Sequence, residues 1–143
     1  MMMKNKLLAV FVAIGVLLCC VGCQKSETEA IDETVTVYIT VGAFDQTKQA
    51  DDYELYLTDT LPYTGQNAAN YFRTLCNQND LAVTGVDDGY ISEIGDYKNN
   101  DTEAWMFYCD DGLTLSEKGV GEVIPSPDDV IVLSYIDWTA LFS

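Results

Sequence analysis

The chain contains no histidine, only three prolines, and only seven Lys and Arg among its 143 residues. Without imidazole, the usual Ser–His and Cys–His nucleophile pairs are excluded, as are most zinc sites. With 23 Asp and Glu and a formal net charge of −16, the chain has no basic face for nucleic acid or anionic lipid. No glycine-rich loop of the kind that cradles phosphate is present. Carboxylates are abundant enough to supply an acid/base pair, but no spacing singles out two of them. The acidity therefore reads as a solvated surface, no catalytic residue is assigned, and the protein is not expected to be an enzyme.

The N-terminus is organised for export. Lys4 and Lys6 form a positive n-region, and Leu7 to Leu18 form an apolar h-region too short for a membrane span, which needs about 20 residues. The run ends at Val21-Gly22-Cys23 and gives way to Gln24-Lys25-Ser26-Glu27. Small residues before a cysteine resemble a lipobox, so Cys23 is expected to carry lipid, and the two chains of a diacylated cysteine suffice for stable membrane anchoring. Cleavage at Cys20, with Cys19 in the small position, is the alternative site. An ordinary signal peptide releasing a soluble protein is the alternative process. Residues 1–22 are thus read as a lipoprotein signal peptide, 23–34 as an acidic flexible tether, 35–138 as one folded domain and 139–143 as a tail. The expected location is extracytoplasmic, with the membrane as a partner through Cys23.

Cys76 and Cys109 lie in the folded part. Outside the cytosol no reductant keeps them apart, and a bridge would close a loop worth about 3 to 4 kcal/mol in the chain-entropy picture. Two buried free thiols are the alternative.

Val35, Val37, Ile39 and Val41 alternate with Thr34, Thr36, Tyr38 and Thr40, the period of a half-buried strand. Tyr53 to Thr58 repeats the alternation weakly. A helix is expected from about Thr64, as cap, to Asn79, with Ala68, Ala69, Phe72, Leu75 and Cys76 on its apolar face. Strands are expected at Leu81–Val86, Tyr90–Ile94, Ala104–Cys109 and Val130–Trp138, separated by turns at Asp88-Gly89, Asp111-Gly112 and Ser126-Pro127-Asp128-Asp129. One helix across a mostly antiparallel sheet, an α+β class, is the simplest packing of this order.

Asp96, Asn99, Asn100, Asp101 and Glu103 crowd oxygen donors into one loop, but Lys98 and Asp101 fall where a calcium-binding loop needs a ligand and a glycine. A solvated hairpin loop is the better reading, and no metal is expected. In Trp105-Met106-Phe107-Tyr108-Cys109, alternation places Trp105, Phe107 and Cys109 on one face. Whether that face is core or ligand surface is open from the pattern alone.

The order of helix, Asp88-Gly89-Tyr90-Ile91-Ser92-Glu93-Ile94-Gly95, polar loop, Trp105-Met106-Phe107-Tyr108 and Pro127-Asp128-Asp129-Val130 resembles the C-terminal domain of the cobalamin carriers transcobalamin and intrinsic factor. It is similar also to the bacterial surface-lipoprotein domains named after it. The resemblance implies a β-grasp-like fold. It implies cobalamin or a related corrinoid as a bound ligand, with no cofactor otherwise, and Gly89, Tyr90, Ile91, Trp105 and Phe107 as the contact positions. The carriers' helical domain is missing from a chain this short. Binding would therefore need a partner protein, a homo-oligomer or a one-sided contact. The alternative is a surface interaction module for an extracellular protein or cell-wall polymer. Asp129 departs from the resemblance, which places Gly in that turn.

Overall fold

The computed structural model describes residues 33–109 and 114–142. The leader, Cys23 and the tether before Glu33 lie outside the described residues, as does the Asp111-Gly112 turn. Strand β1 (Thr34–Val41) and strand β2 (Leu55–Pro62) form an antiparallel hairpin. β2 starts and ends later than its alternation predicts. It can run into Pro62 because it is an edge strand, where a missing N–H breaks no ladder.

Helix α1 (Ala68–Gln78) begins four residues after the expected Thr64. Gly65, at φ +75°, breaks the path, and Asn67 is the cap, its Oδ1 accepting from the Asn70 amide at 3.1 Å. The free amides of Ala68 and Ala69 donate to the carbonyls of Val123 and Val120 at 2.8 and 3.0 Å. The loop around residue 120 is thereby tied to the start of the helix.

Leu81–Val86 and Tyr90–Ile94, both read as strands, shrink to β3 (Val83–Thr84) and β4 (Glu93–Ile94), which with β5 (Tyr97–Lys98) make a small separate sheet. The reason is Gly85, at φ +106°, and Gly89, at φ +85°, which bracket a 3₁₀ turn at Val86–Asp88. A Cβ at residue 85 would stand 2.4 Å from the Tyr90 carbonyl oxygen, so only glycine permits this reversal.

Strands β6 (Glu103–Cys109), β7 (Thr114–Leu115) and β8 (Val130–Asp137) complete the main sheet, whose order is β2-β1-β8-β6-β7. Only the central β1–β8 pair is parallel. The turn before β8 resolves the departure at Asp129: the left-handed residue is Asp128, at φ +73°, and Asp129 instead accepts the Ser126 amide at 2.8 Å. Aspartate is among the few non-glycine residues that tolerate that conformation.

The registers assign Val35, Val37 and Ile39 of β1, Ile131, Leu133 and Tyr135 of β8, and Trp105 and Phe107 of β6 to one sheet face. These side chains are buried with Ala68, Phe72, Leu75 and Cys76 of α1 in a single core. Each large apolar side chain so enclosed contributes about 1.5–3 kcal/mol relative to exposure. The architecture is α+β and β-grasp-like, one helix on a mostly antiparallel sheet. Among the described residues no helix is long and apolar enough to cross a membrane.

Of the two readings of Cys76 and Cys109, a bridge or two free thiols, the structure has the second: both thiols are free. Cys76 lies in the helix–sheet core while Cys109 is half-buried near the end of β6. Burial pushes the Cys76 thiol up to about 12.

Candidate functional site

The αL turn at Gly89 and the loop at residues 119–121 meet backbone to backbone. The Gly121 amide donates to the Gly89 carbonyl oxygen at 3.1 Å. The bare Gly121 allows this approach, since a Cβ there would lie 2.6 Å from the Gly89 Cα, whereas at residue 89 it is the φ of +85° that favours glycine. Gly89 is thus a support of the site rather than part of its lining.

Beside this junction is a cavity of about 190 Å³ that Tyr90, Ile91, Trp105 and Phe107 line together. Four of the five expected contact positions therefore converge, from two segments separated by the small sheet. Their exposure differs from a flat aromatic platform. Tyr90 is 53 % exposed and forms the rim, whereas Trp105 and Phe107 are each 6 % exposed and Ile91 3 %. Trp105 and Phe107 belong to the core and also line the cavity. The opposite wall is Leu115, Lys118 and Val120. Nothing in the periodicity of the sequence announces that wall; only the glycines at 119 and 121 signal a close approach there.

The floor is held rigidly. The Phe107 ring meets Phe72 edge to face at 5.8 Å. The Trp105 indole N–H donates to the Tyr97 carbonyl at 2.9 Å, and the indole packs on Tyr135 at 5.1 Å. Asn99 clamps the two segments: its Oδ1 accepts the Trp105 amide at 2.8 Å and its Nδ2 donates to the Ile91 carbonyl at 3.3 Å. The neighbouring Asn100 Oδ1 accepts from the Thr102 and Glu103 amides, both at 2.9 Å, and its Nδ2 donates to the Tyr135 hydroxyl at 3.2 Å. These loop amides serve structure. Among the described residues no group of three or more His, Cys, Asp or Glu is placed to hold a metal.

Among the described residues, Lys118 is the one charged residue lining this cavity. The acidic groups gather elsewhere, notably Glu54, Glu103 and Asp137 around a more open cleft of about 590 Å³ that also includes Tyr97 and Tyr135. Burial, and then the nearby Glu54 carboxylate, raise the Tyr97 phenol above its ordinary value. Among the described residues the Tyr90 cavity thus offers apolar side chains and one ammonium.

No curated protein matches the chain. Among solved structures, haptocorrin in complex with Cbi superposes with a TM-score of 0.51 at 14 % sequence identity, covering 78 % of this chain and 27 % of that one. At that identity the likeness is one of fold, and the chain spans only about a quarter of the haptocorrin length. Residues 65–137, from the glycine before α1 to the end of β8, match the family described as Domain of unknown function (DUF4430). With half of its length matched, including the helix and every wall of the cavity, the chain belongs to the DUF4430 family.

Proposed function

We propose that this protein is a non-catalytic binding domain, exported and anchored through lipid on Cys23, whose Tyr90–Lys118 cavity takes the edge of a corrinoid. One observation carries the reading: Tyr90, Ile91, Trp105 and Phe107 line one cavity. The haptocorrin likeness supports it at the level of fold.

A cavity of about 190 Å³ is below the roughly 300–1,000 Å³ of sites that enclose a drug-sized ligand. It therefore admits an edge of a macrocycle and leaves the rest open. Methyl groups of the ring edge would meet Ile91, Phe107 and Val120, while Lys118 and Ser116 face the polar amide substituents that corrinoids carry. The uncovered face of the ring calls for a partner protein or a second copy.

Titrating the purified protein with cobinamide while following tryptophan emission tests this reading. Saturable quenching that Tyr90→Ala weakens is expected. No quenching up to millimolar cobinamide, with the fold intact by circular dichroism, would sink it.

A further inference from the structure

The sheet face away from α1 carries a second, unrelated constellation. Tyr38 and Tyr56 stand on that face, on neighbouring strands, by the β1–β2 register. Phe44, in the loop after β1, folds back over it. The Phe44 and Tyr38 rings are 4.8 Å apart, Tyr38 and Tyr56 6.2 Å, and Tyr56 and Tyr53 5.3 Å, forming a continuous run of four rings. Phe44, Tyr38 and Tyr56 are only half-buried. Together with Asp45, Lys48 and Val130 they line a pocket of about 280 Å³.

The loop that completes the pocket is fixed. The Tyr53 hydroxyl accepts from the Asp45 amide at 2.9 Å and donates to the Asp45 carbonyl at 3.1 Å. Asp45 Oδ1 accepts from the Thr47 amide at 2.9 Å and the Thr47 hydroxyl at 2.7 Å. The Lys48 ammonium lies over the Tyr53 ring, 5.4 Å from its centroid. These half-buried aromatic faces, beside a fixed polar rim, lie outside the main helix–sheet core, on the sheet face that also buries Thr40, Val132 and Ser134.

We propose that this pocket is a subsite for one sugar ring of a neutral polysaccharide. The ligand class follows from what the rim accepts and rejects. An organic cation would be drawn to the aromatic faces but meets Lys48. A phosphate or uronate would be drawn to Lys48 but meets Asp45 on a chain of net charge −16. A neutral polyol meets neither objection. Its adjacent hydroxyls both donate and accept, matching the carboxylate acceptor of Asp45 and the ammonium donors of Lys48. The apolar C–H face of a pyranose lies flat on an aromatic ring, and Phe44 and Tyr38 present such rings. The pocket lies on the sheet face opposite Trp105 and Phe107, so the inference stands apart from the corrinoid reading.

Calorimetric titration of the full-length protein with cellohexaose, chitohexaose and mannohexaose tests it, with choline and an oligoglucuronate as charged comparisons. At least one neutral hexaose is expected to bind with a Kd of about a millimolar or tighter. Phe44→Ala should weaken that binding by about tenfold, since it removes a stacking face outside the core. Lys48→Ala should weaken it less, and Tyr90→Ala, on the other sheet face, should leave it unchanged. Should Phe44→Ala perturb the loop, Tyr56→Leu provides a second removal of an aromatic face. The proposal is overturned if no neutral hexaose binds, if only choline or the oligoglucuronate binds, or if both aromatic variants bind with full affinity.

Discussion

Gly121 and Gly89 touch through their backbones, the amide of the first donating to the carbonyl of the second at 3.1 Å. This junction sets the position of Tyr90 at the rim of the cavity. Gly121→Ala would drive a methyl group to 2.6 Å from the Gly89 Cα, against backbone that cannot yield easily. We expect a loss of about 1–3 kcal/mol, the usual cost of overpacking, measured by urea denaturation. At Gly119 the added carbon would meet the Gly89 carbonyl oxygen at 3.2 Å, and the loss there should be smaller.

Phe107 and Tyr90 line the same cavity but differ in what else they do. Phe107 is buried against Phe72, so Phe107→Ala should cost about 3–5 kcal/mol in stability. Tyr90 is half exposed, and Tyr90→Ala should stay within about 0.5 kcal/mol. Thermal melts of the two variants check this contrast. It makes Tyr90 the better position for separating binding from folding.

Asn99 joins the Ile91 carbonyl to the Trp105 amide. Asn99→Ala leaves both groups short of a partner and should destabilise by about 1–3 kcal/mol. Asn99→Asp keeps the acceptor for the Trp105 amide at 2.8 Å and loses only the longer bond, at 3.3 Å. It should cost less, and equilibrium denaturation of the pair reads the difference.

Much of this architecture is legible in the sequence, and where the fold departs from the sequence pattern the causes are identifiable. β1 follows from alternating β-branched residues because it buries one face in the helix–sheet core, whereas β8 is a near-continuous apolar run in which Ile131 to Tyr135 are all buried. The helix starts beyond Thr64 because Thr64 and Asn67 are both competent caps, and Gly65 at φ +75° decides between them. The segments around Gly85 and Gly89 carry strand-like residues, yet their left-handed glycines cut them to two-residue pairings. Tyr90, Ile91, Trp105 and Phe107 came from the ordered family resemblance, and they share one cavity. Alternation correctly paired Trp105 with Phe107 on one face but was silent on burial. The wall at Leu115–Val120 has no period to betray it. Tyr38 was visible as an aromatic residue on the polar face of β1, but its ring neighbour Phe44 lies across a loop that no local pattern folds.

Cys76 provides a pH test. Its thiol is pushed up to about 12 in the folded chain by burial, against an ordinary value of 9.0. The unfolded chain therefore releases this proton first as pH rises. Its contribution to stability is full below about pH 9 and is lost as pH climbs from there toward the folded value. Denaturation midpoints should fall over that alkaline range, less so in Cys76→Ala measured against its own neutral-pH value. Maleimide labelling at pH 8, read on the separate Cys76 and Cys109 peptides, should modify Cys109 well before Cys76.

The central claim is that the cavity beneath Tyr90 binds the edge of a corrinoid. Nuclear magnetic resonance of the ¹⁵N-labelled protein during cobinamide addition tests it most directly, because the Trp105 indole N–H and the amides of Tyr90, Ile91 and Val120 report from the cavity itself. The account predicts saturable shifts at these positions, with the amides of Tyr38 and Phe44 on the opposite face unmoved. An unchanged spectrum at millimolar cobinamide, or shifts confined to residues outside the cavity, would contradict it.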